Sequence, residues 1–475
     1  MRDAEQLLAE LEALRVADLP THGGRTLAYV YDSGLAAADD VGLRALRAYA
    51  GTNGLDPTAF PSLRRMENDL VGKAATLLSG PQQTVGTVTS GGTESVLLAV
   101  QTARDAHPDV TRPRIVLPTT AHPAFHKAAH YFRVEPVFVD VDKETFRADP
   151  AAMRAALDVD TVLVAASAPS YAHGVIDPIT EIAPAAAERG IRCHVDACIG
   201  GWVLPYLRRD GVAVPEFDFA VHGVTSISVD LHKYAYVPKG TSILLHRAPA
   251  LRRPQFFASA AWPGYTMLNS TMQSTKSGGP LAAAWAVVNL IGDAGYTRLA
   301  RDAYDATQRL AAALPAHAGL RPVAPPESTL LALDCDAGCD VFTLADEMAT
   351  RGWLVQPQMR FRELPATLHL TLSAATSAHL DELIAALGES GAAARERGPV
   401  AVAPELAAAA QSLDADSLTE EQFDDLLALA GLDDVGTGGL PQRMAPINAL
   451  LDNAPPPLRE ALLRGFLDRL MRPVR

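Results

Sequence analysis

Lys233 ends a β-type run from Gly223 to Asp230 and is directly preceded by Leu231 and His232. An amine placed there can condense with a bound aldehyde if it is held still and spends part of its time deprotonated. A desolvated pocket near other cations lowers a lysine pKa in that direction. Lys239 is the expected neighbouring cation. Only six of the 41 Lys and Arg residues are lysine, and arginine cannot form a Schiff base. Lysine at 233, 239 and 276 therefore points to a need for an amine at one or more of these positions. A solvated loop charge is the competing reading of Lys233.

Two further segments carry chemistry. Thr87 to Val100 reads as a short strand, a glycine turn and a helix. Gly91 and Gly92 allow close backbone approach to an anion, the helix start offers unpaired N–H groups, and Thr93 adds a hydroxyl. The spacing is neither Walker nor GxGxxG, so a phosphate is indicated rather than a nucleotide. Alone, the turn is a weak signal, better explained as an ordinary helix start. Ile191 to Trp202 reads as an apolar strand that brings His194 and Asp196 to one face at period two. A buried carboxylate needs a cationic partner, and a protonated pyridine nitrogen of pyridoxal phosphate is one. A cap on the Gly200-Gly201 turn is the other reading.

Phosphate cradle, strand-end aspartate and Schiff-base lysine follow in that chain order. The motifs are Thr89-Ser-Gly-Gly-Thr-Glu-Ser95, Ala121 to Ala129, His173-Gly-Val-Ile-Asp-Pro178, His194-Val-Asp-Ala-Cys198, and Gly223 to Ser228 with Asp230 to Gly240. Together they resemble the fold-type I pyridoxal-phosphate enzymes of the group II decarboxylase superfamily, and most closely its sphingosine-1-phosphate lyases. The likeness runs over roughly residues 25 to 390. It implies pyridoxal 5'-phosphate as cofactor, with Lys233 as its Schiff-base partner and Asp196 against the pyridine nitrogen. His122 is expected to stack on the ring and Ala197 to pack its opposite face. Gly92, Thr93 and His232 would bind the phosphate, joined by Lys276, Ser277 and Gly278 from a neighbouring subunit. Tyr31, Asn53, Asp56, Tyr171 and Lys239 take the substrate positions, and Lys239, Tyr171 and His122 join Lys233 as catalytic candidates. No metal is implied.

Two departures from the family pattern bear on the substrate. Asp56 stands where the lyases carry a histidine associated with the substrate's phosphate, and an anion there repels a phosphate by about 1 kcal/mol or more at 4 Å. Lys276 stands where they usually carry arginine, keeping the charge and losing the bidentate fork.

The elements that must hold these residues are legible in the pattern. Residues 1–59 read as an N-terminal arm that includes an amphipathic helix from Glu5 to Leu14. Residues 60–295 alternate helices with Val/Ile-rich strands, which predicts a mostly parallel α/β sheet covered by helices on both faces. Residues 296–397 read as a smaller α+β domain, with a helix through Leu299 to Leu314, strands near Thr329–Leu333 and Leu368–Leu372, and a helix from His379. A helical extension, 398–475, carries an acidic helix near Glu420–Leu429, a Gly/Pro link from Gly436 to Pro441, and a basic-ended helix from Leu458 to Met471.

A net charge of −14 without a basic stripe speaks against nucleic acid as a partner. No apolar run approaches 20 residues and no signal-peptide pattern opens the chain, so no membrane span is expected. Four cysteines, at 193, 198, 335 and 339, suit a reducing compartment such as the cytoplasm better than a disulfide framework, and lack the partners of a zinc site.

The resemblance implies an expected activity. It is a lyase that cleaves the Cα–Cβ bond of a β-hydroxy amine by retro-aldol chemistry, giving an aldehyde and an amine. The alternatives are an amino-acid decarboxylase of the same superfamily and, from another class, a non-catalytic scaffold. The resemblance also implies a homodimer, each site completed by the Asn53–Asp56 turn and the Ser274–Gly279 loop of the neighbouring chain.

Overall fold

The structure, a computed structural model, describes residues 2–265, 267–317, 319–402, 413, 419–429 and 441–473. Its centre is a seven-stranded sheet: β1 (Val85–Thr89), β2 (Arg114–Pro118), β3 (Glu135–Val139), β4 (Thr161–Ser167), β5 (Arg192–Asp196), β6 (Val224–Asp230) and β7 (Ser242–His246), in spatial order β1-β7-β6-β5-β4-β2-β3. The β2–β3, β2–β4, β4–β5 and β5–β6 pairs are parallel, while β7 runs antiparallel to both β1 and β6. β4, whose seven residues are all buried, shows why these strands lack polar alternation: helices cover both faces, so both faces must be apolar. This is the architecture expected from the sequence.

The C-terminal ends of β1, β4, β5 and β6 meet at one edge of the sheet. Such an edge, where connections diverge to opposite faces, leaves a crevice that ligands occupy in open α/β folds. A hairpin of β8 (Phe257–Ser259) and β9 (Met267–Asn269) follows the sheet.

The chain then enters one long helical element, Gly278–Ala313, interrupted at Gly292 (φ 62°, ψ 176°). The left-handed φ suits glycine, and no protein atom lies near enough to contact a Cβ there, so backbone conformation selects the residue. The expected helix from Leu299 is thus the second half of a broken helix that begins in the large unit. Beyond it an antiparallel sheet forms in the order β10 (Leu320–Pro322), β11 (Leu330–Cys335), β13 (Thr367–Thr371), β12 (Gln356–Gln358). The helices Val341–Thr350 and Leu380–Arg397 contribute Leu344, Met348, Leu383 and Leu387 to the core over this sheet.

The N-terminal helix Ala4–Leu14 buries no residue, and Leu8, Leu11 and Leu14 are exposed. At the other end, helices Glu420–Leu429 and Pro456–Leu470 occupy the expected places. A further helix, Ala445–Asn453, escaped the sequence reading, and most of the Gly436–Pro441 link lies outside the described residues. Phe423, Ile447, Leu462 and Phe466 pack together in this extension. Asp346 fastens it to the small sheet's helix by accepting the N–H groups of Met444 (2.9 Å) and Ala445 (3.0 Å).

Candidate active site

Lys233 lies three residues beyond the end of β6, in the turn that leaves the sheet. It faces a cavity of about 420 Å³ lined by Gly91, Gly92, Thr93, His122, Tyr171, Asp196, Asp230 and His232, among others. Its Nζ is 2.9 Å from Asp230 Oδ2, and both side chains are largely buried. This overturns one expectation. Burial is the largest single influence and pulls the lysine pKa down, but the Asp230 carboxylate together with Tyr31, Cys198 and Asp196 outweighs it, and the net pKa lies well above the ordinary lysine value. Lys239 is not the controlling neighbour. Its own pKa is lowered, first by burial and then by the Lys233 charge. Its Nζ donates to the Tyr29 carbonyl (3.0 Å) and lies 5.1 Å from the Tyr31 ring centre.

Asp230 is the hub of this corner. Burial acts to raise its pKa, but Lys233, His232 and a 2.5 Å hydrogen bond from Ser242 prevail, so it stays ionised. A Cβ on Gly92 would sit 2.8 Å from both Asp230 oxygens and from Cys198 Sγ. Glycine at this position lets the start of helix Gly92–Asp105 reach the carboxylate. The Ser95 N–H makes the first turn's bond to Gly91 O (3.1 Å), so the N–H groups ahead of it have no intrahelical acceptor. Glu94 braces the cradle by accepting from the N–H groups of Ser90 and Met272, both at 2.6 Å.

Asp196 reaches the cavity from the end of β5. Oδ1 accepts from the Cys198 N–H (3.1 Å) and the Ser228 hydroxyl (3.3 Å), and the neighbouring β5 histidine, His194, contacts Ser226 (2.9 Å) and Ser228 (3.2 Å). Burial pushes His194 down to about 4, so it is a neutral strut. Among the described residues Oδ2 of Asp196 has no hydrogen-bond partner. That leaves one oxygen of a fixed, cavity-lining carboxylate available to a cation.

His122 lines the same wall, and its Nδ1 accepts from the Ala124 N–H (3.2 Å), which puts the neutral ring's proton on Nε2. Tyr171 donates to Gln356 Oε1 (2.8 Å) and stacks on His369 with ring centres 4.2 Å apart. Gln356 and His369 are register partners on β12 and β13, so the small sheet holds this tyrosine. Burial raises the Tyr171 pKa to about 12.

The structure brings Gly92, Thr93, His122, Tyr171, Asp196, His232 and Lys233 together. Other expected residues lie elsewhere. Ala197 is fully buried behind the wall, which Cys198 and Ile199 form instead. Tyr31 is the exception, since it packs edge-on against Tyr234 at 5.2 Å yet stays close enough to act on the Lys233 charge. Asn53, Asp56, Lys276, Ser277 and Gly278 gather at a second site, because the 52–54 and 276–278 backbones pair: Gly54 N–H donates to Lys276 O (2.7 Å) and Gly278 N–H to Thr52 O (2.9 Å). Asp56, Lys276 and Ser277 line a pocket of about 100 Å³ there, and Lys276 Nζ is 2.8 Å from Glu67. Within one chain these residues do not reach Lys233. Sequence reasoning gave no role to Asp230, Glu94, Ser226, Ser228, Gln356 or His369. Serines at period two in β6 and an aspartate three before the lysine were the available signals.

Residues 36–319 match the model of the pyridoxal-dependent decarboxylase conserved domain, and residues 404–469 that of a pyridoxal-dependent enzyme, C-terminal putative HTH domain. The chain is 38% identical over 331 residues to the sphingosine-1-phosphate lyase of Dictyostelium discoideum, covering 70% of this chain and 61% of that protein. It is 34% identical over 397 residues to that of Oryza sativa subsp. japonica, covering 82% and 72%. The chain thus spans less than two thirds of the Dictyostelium relative's length. Among solved structures, the sphingosine-1-phosphate lyase of Burkholderia pseudomallei superposes with a TM-score of 0.79 at 32% identity, covering 83% of this chain and 92% of that one.

Proposed function

The chain belongs to the pyridoxal-dependent decarboxylase family, and we propose that it is a pyridoxal 5'-phosphate-dependent carbon–carbon lyase that cleaves the Cα–Cβ bond of a β-hydroxy amine, phosphorylated sphingoid bases included. One observation carries the reading: a positioned lysine, a carboxylate with one unengaged oxygen and an unpaired helix N-terminus line the same cavity. These are the partners that the cofactor's aldehyde, ring nitrogen and phosphate require, so the residues fit the group.

When bound, pyridoxal phosphate supplies a protonated ring that draws electrons from whichever Cα bond lies along its π system. The chain's residues do the rest. Asp196 Oδ2 would hold the ring-nitrogen proton. Lys233 Nζ would anchor the cofactor and carry protons near Cα, giving up its own to water when it becomes nucleophilic, while Asp230 holds the charged form. Tyr171, with its raised pKa, keeps its proton at neutral pH and so orients or donates to the β-oxygen. Lys239, with a lowered pKa, is the amine that gives up its proton more readily than Lys233 does.

The four-part division at residues 59, 295 and 397 accompanies this reading, with the Gly292 break marking where the cofactor unit gives way to the small unit. We place the second pocket at a subunit boundary, where Asp56, Lys276 and Ser277 serve a partner's site in a homodimer. A reducing compartment such as the cytoplasm suits the four free thiols. Among the described residues no helix is long and apolar enough to cross a membrane.

Incubation with β-hydroxy amines and with amino acids, measuring aldehyde against carbon dioxide, tests the activity. Aldehyde release lost in Lys233→Ala is expected. Carbon dioxide without aldehyde would assign the chain to decarboxylation instead, and a protein that stays colourless with added cofactor would make it a scaffold.

A further inference from the structure

Two cysteines outside the catalytic cavity stand in a built arrangement. β11 ends at Cys335, and the turn that follows closes by a hydrogen bond from Cys339 N–H to Asp336 O (3.1 Å). The Gly338 N–H donates to Asp336 Oδ1 (3.0 Å), and Arg395 holds the same carboxylate at 2.7 Å. The folded turn brings Cys339 back beside Cys335, where each thiol acts on the other's pKa, and Cys339 Sγ donates to the Asp340 carbonyl (3.6 Å). Both line a cavity of about 290 Å³ together with Arg360 and with Ala449, Asp452 and Asn453 of the C-terminal extension. Cys335 is partly exposed there, whereas Cys193 is sealed in the central sheet. Nothing in the lyase chemistry uses this pair.

We propose that Cys335 and Cys339 are a reversible dithiol–disulfide couple that exchanges with small-molecule disulfides entering this cavity. Thiolate character decides which sulfur attacks first. Cys335 lowers the Cys339 pKa and burial opposes it, while the Cys335 pKa is raised, first by Cys339 and then by burial. Cys339 is buried apart from the face it turns to the cavity, and with that access and the lower pKa it is the attacking sulfur, the more exposed Cys335 being the resolving one. The Cys339 thiolate bonds to one sulfur of the small disulfide, whose other half leaves as a thiolate and takes a proton. Cys335 then loses its proton and attacks Cys339 Sγ, closing the protein disulfide and expelling the second small thiol. Two electrons and two protons pass from the cysteines to the small disulfide, and excess thiol reverses both steps.

The test equilibrates the holoenzyme in glutathione buffers of rising disulfide fraction, followed by alkylation, digestion and peptide mass mapping. Cys335 and Cys339 should disappear together from the alkylated pool, reappear as one linked peptide and return on adding dithiothreitol, with Cys193 free throughout. Cys335→Ser should stop at a glutathione adduct on Cys339, and Cys339→Ser should leave Cys335 largely unmodified at the same poise, with circular dichroism establishing that each variant folds. Both thiols remaining free at the most oxidising ratio, or glutathione adducts forming on the unsubstituted protein without a link between the cysteines, would overturn the proposal.

Discussion

Replacing Asp230 by Asn tests the reasoning about Lys233 most directly. Asn keeps the shape of the carboxylate and can still accept from Ser242, but it removes the charge 2.9 Å from Lys233 Nζ. An opposite charge this close shifts a pKa by roughly 1–3 units. At 1.36 kcal/mol per unit, that is about 1.4–4 kcal/mol. With the charge gone, burial and Lys239 both act downward on Lys233, so its pKa should fall by about that span. Competitive acetylation of cofactor-free protein across pH, followed by mass mapping of the Lys233 peptide, reads the change. A midpoint in Asp230→Asn equal to or above wild type would refute the argument. The linkage has a definite sign. Lys233 is raised on folding, so its stabilisation is fully present below the ordinary lysine pKa and is lost as pH rises through the higher folded value. Asp230 is lowered on folding, so its share is present above the ordinary aspartate pKa and is lost as pH falls through the lower folded value. The variant should therefore be less stable across neutral pH. Lys233 can shed its proton, which keeps the loss below the 3–5 kcal/mol of a stranded buried charge.

Gly92→Ala places a methyl 2.8 Å from Asp230 and Cys198, and should weaken pyridoxal phosphate binding at least about tenfold, or about 1.4 kcal/mol, in an equilibrium titration; unchanged affinity would contradict the cradle. Gln356→Ala removes the acceptor that holds Tyr171, a bond worth about 0.5–1.5 kcal/mol. Turnover should fall several-fold with cofactor affinity intact, and an equal loss of cofactor would show Gln356 to be merely structural. Ser228→Ala leaves His194 Nε2 without its partner and Asp196 Oδ1 without one donor, so denaturant unfolding should show a loss of about 1–3 kcal/mol. Asp56→His should raise the kcat/KM ratio of phosphorylated over unphosphorylated amine by about fivefold or more, the equivalent of about 1 kcal/mol, and an unchanged ratio would remove Asp56 from the substrate's surroundings.

Much of this was legible in the sequence because the signals were local. The apolar run of β4, the glycines before helix Gly92–Asp105 and the period-two pair His194/Asp196 each declare their element within a few residues. What escaped depends on contacts between distant segments. Ser226 and Ser228 matter because β6 registers them against His194 and Asp196, and strand order is not printed in either strand alone. Gln356 and His369 reach Tyr171 across nearly two hundred residues of chain. The Lys233 pKa failed for a related reason: desolvation and a neighbouring cation both pointed downward, and only the geometry of the turn after β6 shows Asp230 folding back onto the amine.

The charges of the two sites differ in a way that bears on the substrate. In the cavity, Glu94 spends both oxygens on backbone N–H groups, so the helix N-terminus keeps its positive end available for the cofactor's phosphate. At the second pocket the cation is already engaged. Lys276 faces Glu67 at 2.8 Å, and that carboxylate oxygen also accepts from the Val88 N–H at 2.8 Å, so it is fixed in place. Thr58 donates to Asp56 through its hydroxyl and its N–H, which lowers the Asp56 pKa and keeps it ionised at neutral pH. A substrate phosphate arriving here must draw Lys276 away from Glu67 and tolerate Asp56. A second phosphate subsite would therefore be weaker than the first, and the amine and hydroxyl ends of the substrate would contribute more of its recognition than a phosphate does. Asp56→His reverses one of these two opposing terms and leaves the Lys276–Glu67 pair in place, so it isolates the aspartate's share.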